Sequence, residues 1–192
     1  GHSVGQYAAA CVAGFMSWED GLRLISERGR LLGNLPEGGR MAAIFSNLDT
    51  VQEHVARHEC LSIAAMNGSH IVISGRESSV DAAIAELSKA GLRCKALTTS
   101  HAFHSPLMEP ALDEFEAFAD TITYQVAERP LICNVTGTIL AADAKLNGAY
   151  WRNHIREAVQ FAGSIEALAN AGCEVVLELG PRRVLTNMAA SA

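Results

Sequence analysis

The sequence is short of positive charge, of long apolar runs and of clustered cysteine, and each shortage removes a class of function. Its 15 Lys and Arg are outnumbered by 21 Asp and Glu, for a net charge of −6. No basic cluster is long enough to track a phosphate backbone, so nucleic acid is not an expected partner. No run approaches the roughly 18 apolar residues of a membrane span, and no signal peptide is visible. The five cysteines, Cys11, Cys60, Cys94, Cys133 and Cys173, are odd in number and hold no Cys-x-x-Cys pair. That pattern predicts reduced core thiols, a cytoplasmic protein and no metal site. Among 192 residues, 49% are hydrophobic, enough for one substantial core, or for one core with a small satellite domain.

What is present begins at the first residue. Gly1-His2-Ser3-Val4-Gly5 is a Gly-x-Ser-x-Gly pentapeptide followed by the small-residue stretch Gln6 to Gly14. It reads as a nucleophile elbow, in which small flanks permit a tight turn and the following helix aims free N–H groups at the serine. Such an elbow is entered from a buried strand, yet the chain starts on its first glycine with no initiator Met. The expectation is an excerpt that lacks its N-terminal part.

Further along, Ser17 with Asp20 opens a helix predicted over Trp18 to Leu32. Met41–Phe45, Leu61–Met66, Ile71–Ser74 and Arg93–Thr98 read as strands, with helices over Asp49–Arg57 and Ser78–Ala90. That order, βαββαβ, is the ferredoxin-like pattern. It predicts a small subdomain at 41–98 inserted into a larger α/β domain formed by 1–40 and 99–192. In the larger part, helices are predicted at Leu107–Thr121, Ala149–Glu157 and Ala158–Ala171 and from Arg182. Strands are predicted at Arg129–Val135 and Glu174–Leu179, in a sheet with helices on both faces.

Ser3 needs a base within hydrogen-bond reach. Of seven histidines, His54 and His58 fit a solvated helix face, His70 a turn, His2 a structural hydrogen bond inside the elbow, and His154 a polar helical stretch. His101 and His104 stand together in an irregular segment where the chain re-enters the larger domain, and they are the candidates. Taken alone, the elbow allows an ordinary Gly-Ser turn or any serine hydrolase or thioesterase.

Five segments then match a family in order and spacing: Gly1 to Gln6, Arg28-Gly29, Met66-Asn67, His101-Ala102-Phe103-His104-Ser105, and Glu178-Leu179-Gly180-Pro181. Together they resemble the malonyl-CoA:acyl carrier protein transacylases, and most closely the acyltransferase domains of modular polyketide synthases. The resemblance implies an α/β-hydrolase-like domain with a ferredoxin-like insert, Ser3 as the acylated nucleophile, His104 as general base and Arg28 as the partner of the extender carboxylate. It implies a backbone carbonyl near Asn153-His154 steadying the base, and it gathers Val4, Asn67, His101, Phe103 and His154 around the substrate. The implied substrate is malonyl-CoA, because the His-Ala-Phe-His segment marks malonyl enzymes and Phe103 would fill the space an α-methyl group needs. A methylmalonyl-selective enzyme is the alternative. No bound cofactor is implied; the phosphopantetheine arrives on an acyl carrier protein, and flanking polyketide synthase domains are expected. The oxyanion would take the Val4 N–H and a second donor from an N-terminal Gly-Gln-Gly segment that the sequence does not contain, so the excerpt by itself is expected to be inactive.

Overall fold

The structure is a computed structural model, and it describes residues 1–141 and 143–190; Ala142, Ser191 and Ala192 lie outside the described residues. Helix α1 spans Gly5–Ala13 and ends at Gly14, whose φ of 90° lets its N–H reach back to the Ala10 and Cys11 carbonyls. Helix α2, Trp18–Gly33, is capped by Ser17, whose hydroxyl accepts from Asp20 N–H. Its buried face carries Leu24, Leu31 and Leu32, and Arg28 lies on that same face.

The next six elements form one compact unit: β1 (Gly39–Ile44), α3 (Leu48–Val55), β2 (Leu61–Met66), β3 (Ile71–Arg76), α4 (Glu77–Lys89) and β4 (Cys94–Leu97). The sheet runs β4-β1-β3-β2, antiparallel throughout, and a further strand β5 (Val159–Gln160) joins β2 in parallel to make it mixed. Alternation along the strands splits the apolar residues between two faces. Ala42, Ile44, Ile71 and Ile73 meet Val51 of α3 and Val80, Ala83 and Leu87 of α4 on one side. Met41, Ala64, Ala65 and Val72 meet Val159 and Phe161 on the other. A register irregularity between Ile63 and Ala65 lets Ala64 join that second face.

After β4 come a 3-10 turn (Pro106–Ala111), α5 (Leu112–Ala119), α6 (Gly148–Arg156), α7 (Phe161–Asn170) and α8 (Leu185–Ala189). With α1 and α2, the 3-10 turn, α5 and α6 enclose a second core around Tyr7, Phe15, Leu24, Met108, Phe115 and Trp151, while α7 and α8 pack through Phe161, Ile165, Leu185 and Met188 on the sheet face that carries Met41 and Val72. Gly39 lets the start of β1 lie close against the segment that follows β4, since a Cβ on it would come within 2.7 Å of Ala102 N.

Two expected strands are not formed. Arg129–Val135 is irregular, with a single bridge between Ile132 and Ile139, and Glu174–Leu179 has no sheet partner among the described residues. A β segment is stable only where a neighbouring strand takes its N–H and C=O groups, and the five paired strands lie elsewhere. Val175, Leu177 and Leu179 are therefore at least 80% exposed despite their strand-like composition. The helix expected to begin at Ala158 begins at Phe161, because Val159 and Gln160 are used as β5.

Candidate active site

Ser3 lies at the N-terminus of α1 with φ of 46°, a left-handed backbone that a non-glycine residue adopts only under constraint. The glycine before it is sterically required: a Cβ on Gly1 would come within 2.2 Å of the Gly5 backbone. A Cβ on Gly5 would meet nothing within 4 Å, so only the first flank matches the expected crowding. Gly5, Gln6 and Tyr7 donate their N–H groups to His2, Ser3 and Val4 carbonyls. Among the described residues no acceptor engages the Val4 N–H, which stays available beside the serine.

His104 reaches Ser3 across 101 positions, with Nε2 to Oγ at 2.8 Å. Its other ring nitrogen, Nδ1, donates to the main-chain carbonyl of Glu157 at 2.8 Å. A carbonyl can only accept, so the proton sits on Nδ1 and Nε2 presents its lone pair to the serine hydroxyl. The steadying carbonyl had been expected near Asn153-His154. The structure moves it to Glu157, where α6 ends and the backbone turns extended at φ −83°, ψ 158°. α6 is itself fixed by Arg152 on Glu116 at 2.9 Å and by Gly148 N–H on Asp120 at 2.7 Å.

His104 also has positive φ, 60°, and its loop is braced by Ser105, whose hydroxyl donates to Ala102 O and accepts from Leu107 N–H. Burial is the main cause that lowers the His104 pKa to about 4, opposed by the Glu157 carbonyl and reinforced by the charges of Arg28 and His2. The imidazole is therefore neutral at physiological pH, the form a general base requires.

Arg28 is buried, and its guanidinium stands 5.5 Å from the centroid of the Phe103 ring. Its Nε has no hydrogen-bond partner among the described residues. A buried cation left short of acceptors suits an anionic ligand. Phe103 also contacts the ring of His101 at 6.1 Å, and His101 Nε2 meets the Leu35 carbonyl at 3.1 Å. Val4 is half exposed beside the serine.

Two expected substrate contacts are otherwise engaged. Asn67 bonds His2 Nε2 through Oδ1 and His70 Nε2 through Nδ2, both at 3.0 Å, which ties the elbow to the β2–β3 turn. His154 is 1% exposed, packed against Tyr7 and Trp151 in the second core, with its ring 6.4 Å from that of His104. Burial holds it neutral. Asn134 carried no expectation, yet its Oδ1 accepts from Ser3 N–H at 2.7 Å.

The arrangement sets a serine hydroxyl against a neutral imidazole, with an unengaged backbone N–H beside the serine and a buried guanidinium. Among the described residues no group of three or more His, Cys, Asp or Glu is placed to hold a metal ion, and no helix is long and apolar enough to cross a membrane.

Residues 1–192 match the family described as the acyl transferase domain. The chain belongs to that family. This acyl transferase chain is 44% identical over 182 residues to mycoketide-CoA synthase of Mycobacterium tuberculosis, covering 94% of the chain and 4% of that protein. It is 39% identical over 188 residues to polyketide synthase GfsA of Streptomyces halstedii, covering 97% of the chain and 2% of that protein. Among solved structures, the acyltransferase domain from the second module of the salinomycin polyketide synthase superposes with a TM-score of 0.94 at 44% identity, over 100% of this chain and 45% of that one. FabD from Acinetobacter baumannii superposes with a TM-score of 0.92 at 31% identity, over 98% of this chain and 63% of that one. The acyl transferase chain thus spans a few per cent of those synthases' length and about half of that solved domain.

Proposed function

We propose that the protein transfers a malonyl group from malonyl-CoA to the phosphopantetheine thiol of an acyl carrier protein, through a malonyl ester on Ser3. The observation that carries this reading is the 2.8 Å contact of Ser3 Oγ with a neutral His104 whose Nδ1 rests on a backbone carbonyl, beside the buried guanidinium of Arg28. His104 Nε2 takes the hydroxyl proton as Oγ attacks the thioester carbon. The Val4 N–H faces the developing oxyanion, and collapse expels the coenzyme A sulfur, which receives the proton back from Nε2. The carrier thiol then gives its proton to Nε2 and attacks the ester, and His104 returns the proton to Ser3 Oγ.

Arg28 grips the free carboxylate of the extender unit, and Phe103 stands where an α-methyl group would sit. Overfilling that space costs about 1–3 kcal/mol, which favours malonyl over methylmalonyl roughly 10- to 200-fold. The strand order of the Gly39–Leu97 unit supports a ferredoxin-like subdomain at 41–98; for 1–40 and 99–192, which among the described residues contribute only β5 to a sheet, an α/β-hydrolase-like part rests on the family alone. On this reading no cofactor is bound. The partners are the carrier protein and flanking synthase domains, and the setting is cytoplasmic.

Among the described residues His104 Nδ1 is held by a carbonyl and by no carboxylate, which departs from the Ser-acid-His set of an α/β-hydrolase and favours the acyltransferase reading over an ordinary serine hydrolase. Incubating the intact protein with malonyl-CoA and a phosphopantetheinyl carrier tests this. Malonyl-carrier should form faster than free malonate, and free malonate as the main product would reverse the assignment. In competition between malonyl-CoA and methylmalonyl-CoA, Phe103→Ser with His101→Tyr should relax the preference; an unchanged ratio means that Phe103 is not the wall.

A further inference from the structure

The elbow is bridged by a side chain 131 positions away. Asn134 is 2% exposed; its Oδ1 accepts from Ser3 N–H at 2.7 Å, and its Nδ2 donates to the Gly1 carbonyl at 2.5 Å. One amide therefore takes the acceptor before His2 and the donor after it. A residue on a neighbouring parallel strand engages its partner in the same way, through the carbonyl of the preceding residue and the N–H of the following one. Asn134 supplies with its side chain the pairing that main chain supplies in a sheet.

The segment that carries Asn134 is not a strand, but it is fixed from several sides. Its own carbonyl accepts from Gln160 N–H of β5 at 2.7 Å, and the Ile132 carbonyl accepts from Gln6 Nε2 of α1 at 3.0 Å. Cys133 N–H bonds Thr138 O at 2.9 Å, and Gly137 N–H returns to Cys133 O at 2.8 Å. The amide is held ready, and what it holds is a serine with φ of 46°. A strained backbone persists only where its surroundings over-determine it.

We propose that Asn134 is a positioning residue for the acyl transfer: it fixes the Ser3 backbone so that Oγ points along the His104 Nε2 lone pair. This rests on Ser3 being the nucleophile. Without the amide, the Ser3 N–H and Gly1 C=O lose their partners and the hydroxyl swings off line. The loss falls on the chemical step, because Asn134 makes no contact with Arg28 or Phe103 among the bonds that hold them.

The test is Asn134→Ala and Asn134→Asp in the intact protein, read by kcat, by KM for malonyl-CoA, by the labelling rate of Ser3 with a small fluorophosphonate, and by melting temperature. Asn134→Ala should lower kcat and labelling together by about 10²-fold, the scale of a 1 Å misplacement, with KM little changed at temperatures where the protein is folded. Asn134→Asp keeps an acceptor for Ser3 N–H and should recover part of both rates. Wild-type labelling in Asn134→Ala, or a loss matching only the unfolded fraction, overturns the proposal. If the alanine variant does not fold, an aspartate variant that labels like wild type overturns it and one that labels more slowly supports it. Labelling that depends on Asn134 in a protein that refuses malonyl-CoA upholds Asn134 and defeats the malonyl reading, whereas a wild-type Ser3 that takes neither malonyl nor probe defeats both.

Discussion

The sheet unit between Gly39 and Leu97 and the site around Ser3 are built on opposite plans. In the unit, Ala42 faces Ile73 and Ile44 faces Ile71 across one antiparallel pair, and α3 and α4 cover the same face. Partners lie close in sequence, side chains supply burial, and backbone pairs with backbone. At the site, Ser3 meets His104 across 101 positions and Asn134 across 131. There, Ser3 and His104 have positive φ, and bonds run from side chains to irregular main chain. The first plan concentrates stability, and the second concentrates reactivity at some cost in strain.

That contrast is open to direct attack. The largest effect should come from His104→Ala, which removes the base and should slow transfer by about 10²–10⁴-fold while leaving the denaturation midpoint near that of wild type. Ile73→Ala, fully buried in the sheet, should do the reverse. It should cost about 2–5 kcal/mol of stability, with kcat of the folded fraction unchanged; a matching fall in kcat would erase the distinction between the regions.

Arg28→Ala should lower kcat/KM for malonyl-CoA by about 10- to 100-fold, the scale of a charge-assisted hydrogen bond, and leave acetyl-CoA, which has no carboxylate, little affected. An equal loss on both would make Arg28 a structural cation.

The pH dependence sharpens the comparison further. With the His104 pKa at about 4, kcat/KM should stay level as pH falls through 6.5 and decline only near 4. Its folded pKa lies below the ordinary 6.5, so the unfolded chain binds the proton more readily. The stability contribution is complete above pH 6.5 and is lost as pH falls from there towards 4. An activity midpoint near 6.5 would mean that the imidazole is solvated in the working enzyme. The smallest effect belongs to Asn47→Ala at the exposed cap of α3, about 1 kcal/mol in stability and none in rate.

The same contrast explains what could be read from sequence. Short apolar runs at Met41–Ile44 and Ile71–Ser74, the turn signal Asn67-Gly68-Ser69-His70 and helical spacing at Val80, Ile84 and Leu87 made the unit legible to within a few residues, because each element's partner was nearby. The strands expected at 129–135 and 174–179 had suitable composition, but pairing depends on a neighbour that composition does not reveal. Ser3 and His104 were visible through the motifs around them.

Arg28 had a further signal in its spacing. It lies four residues after Leu24 and three and four before Leu31 and Leu32, on the face that proved buried. Asn134 offered only a polar residue at the end of the apolar run Leu131-Ile132-Cys133. Glu157 offered nothing, since its backbone acts and its side chain is exposed.

The most direct test of the account is intact-mass analysis of the intact protein after brief exposure to malonyl-CoA, followed by peptide mapping. The account predicts one malonyl ester, located on Ser3, discharged by a carrier phosphopantetheine thiol and absent from Ser3→Ala. An adduct on another residue, or one that persists in Ser3→Ala, would contradict it.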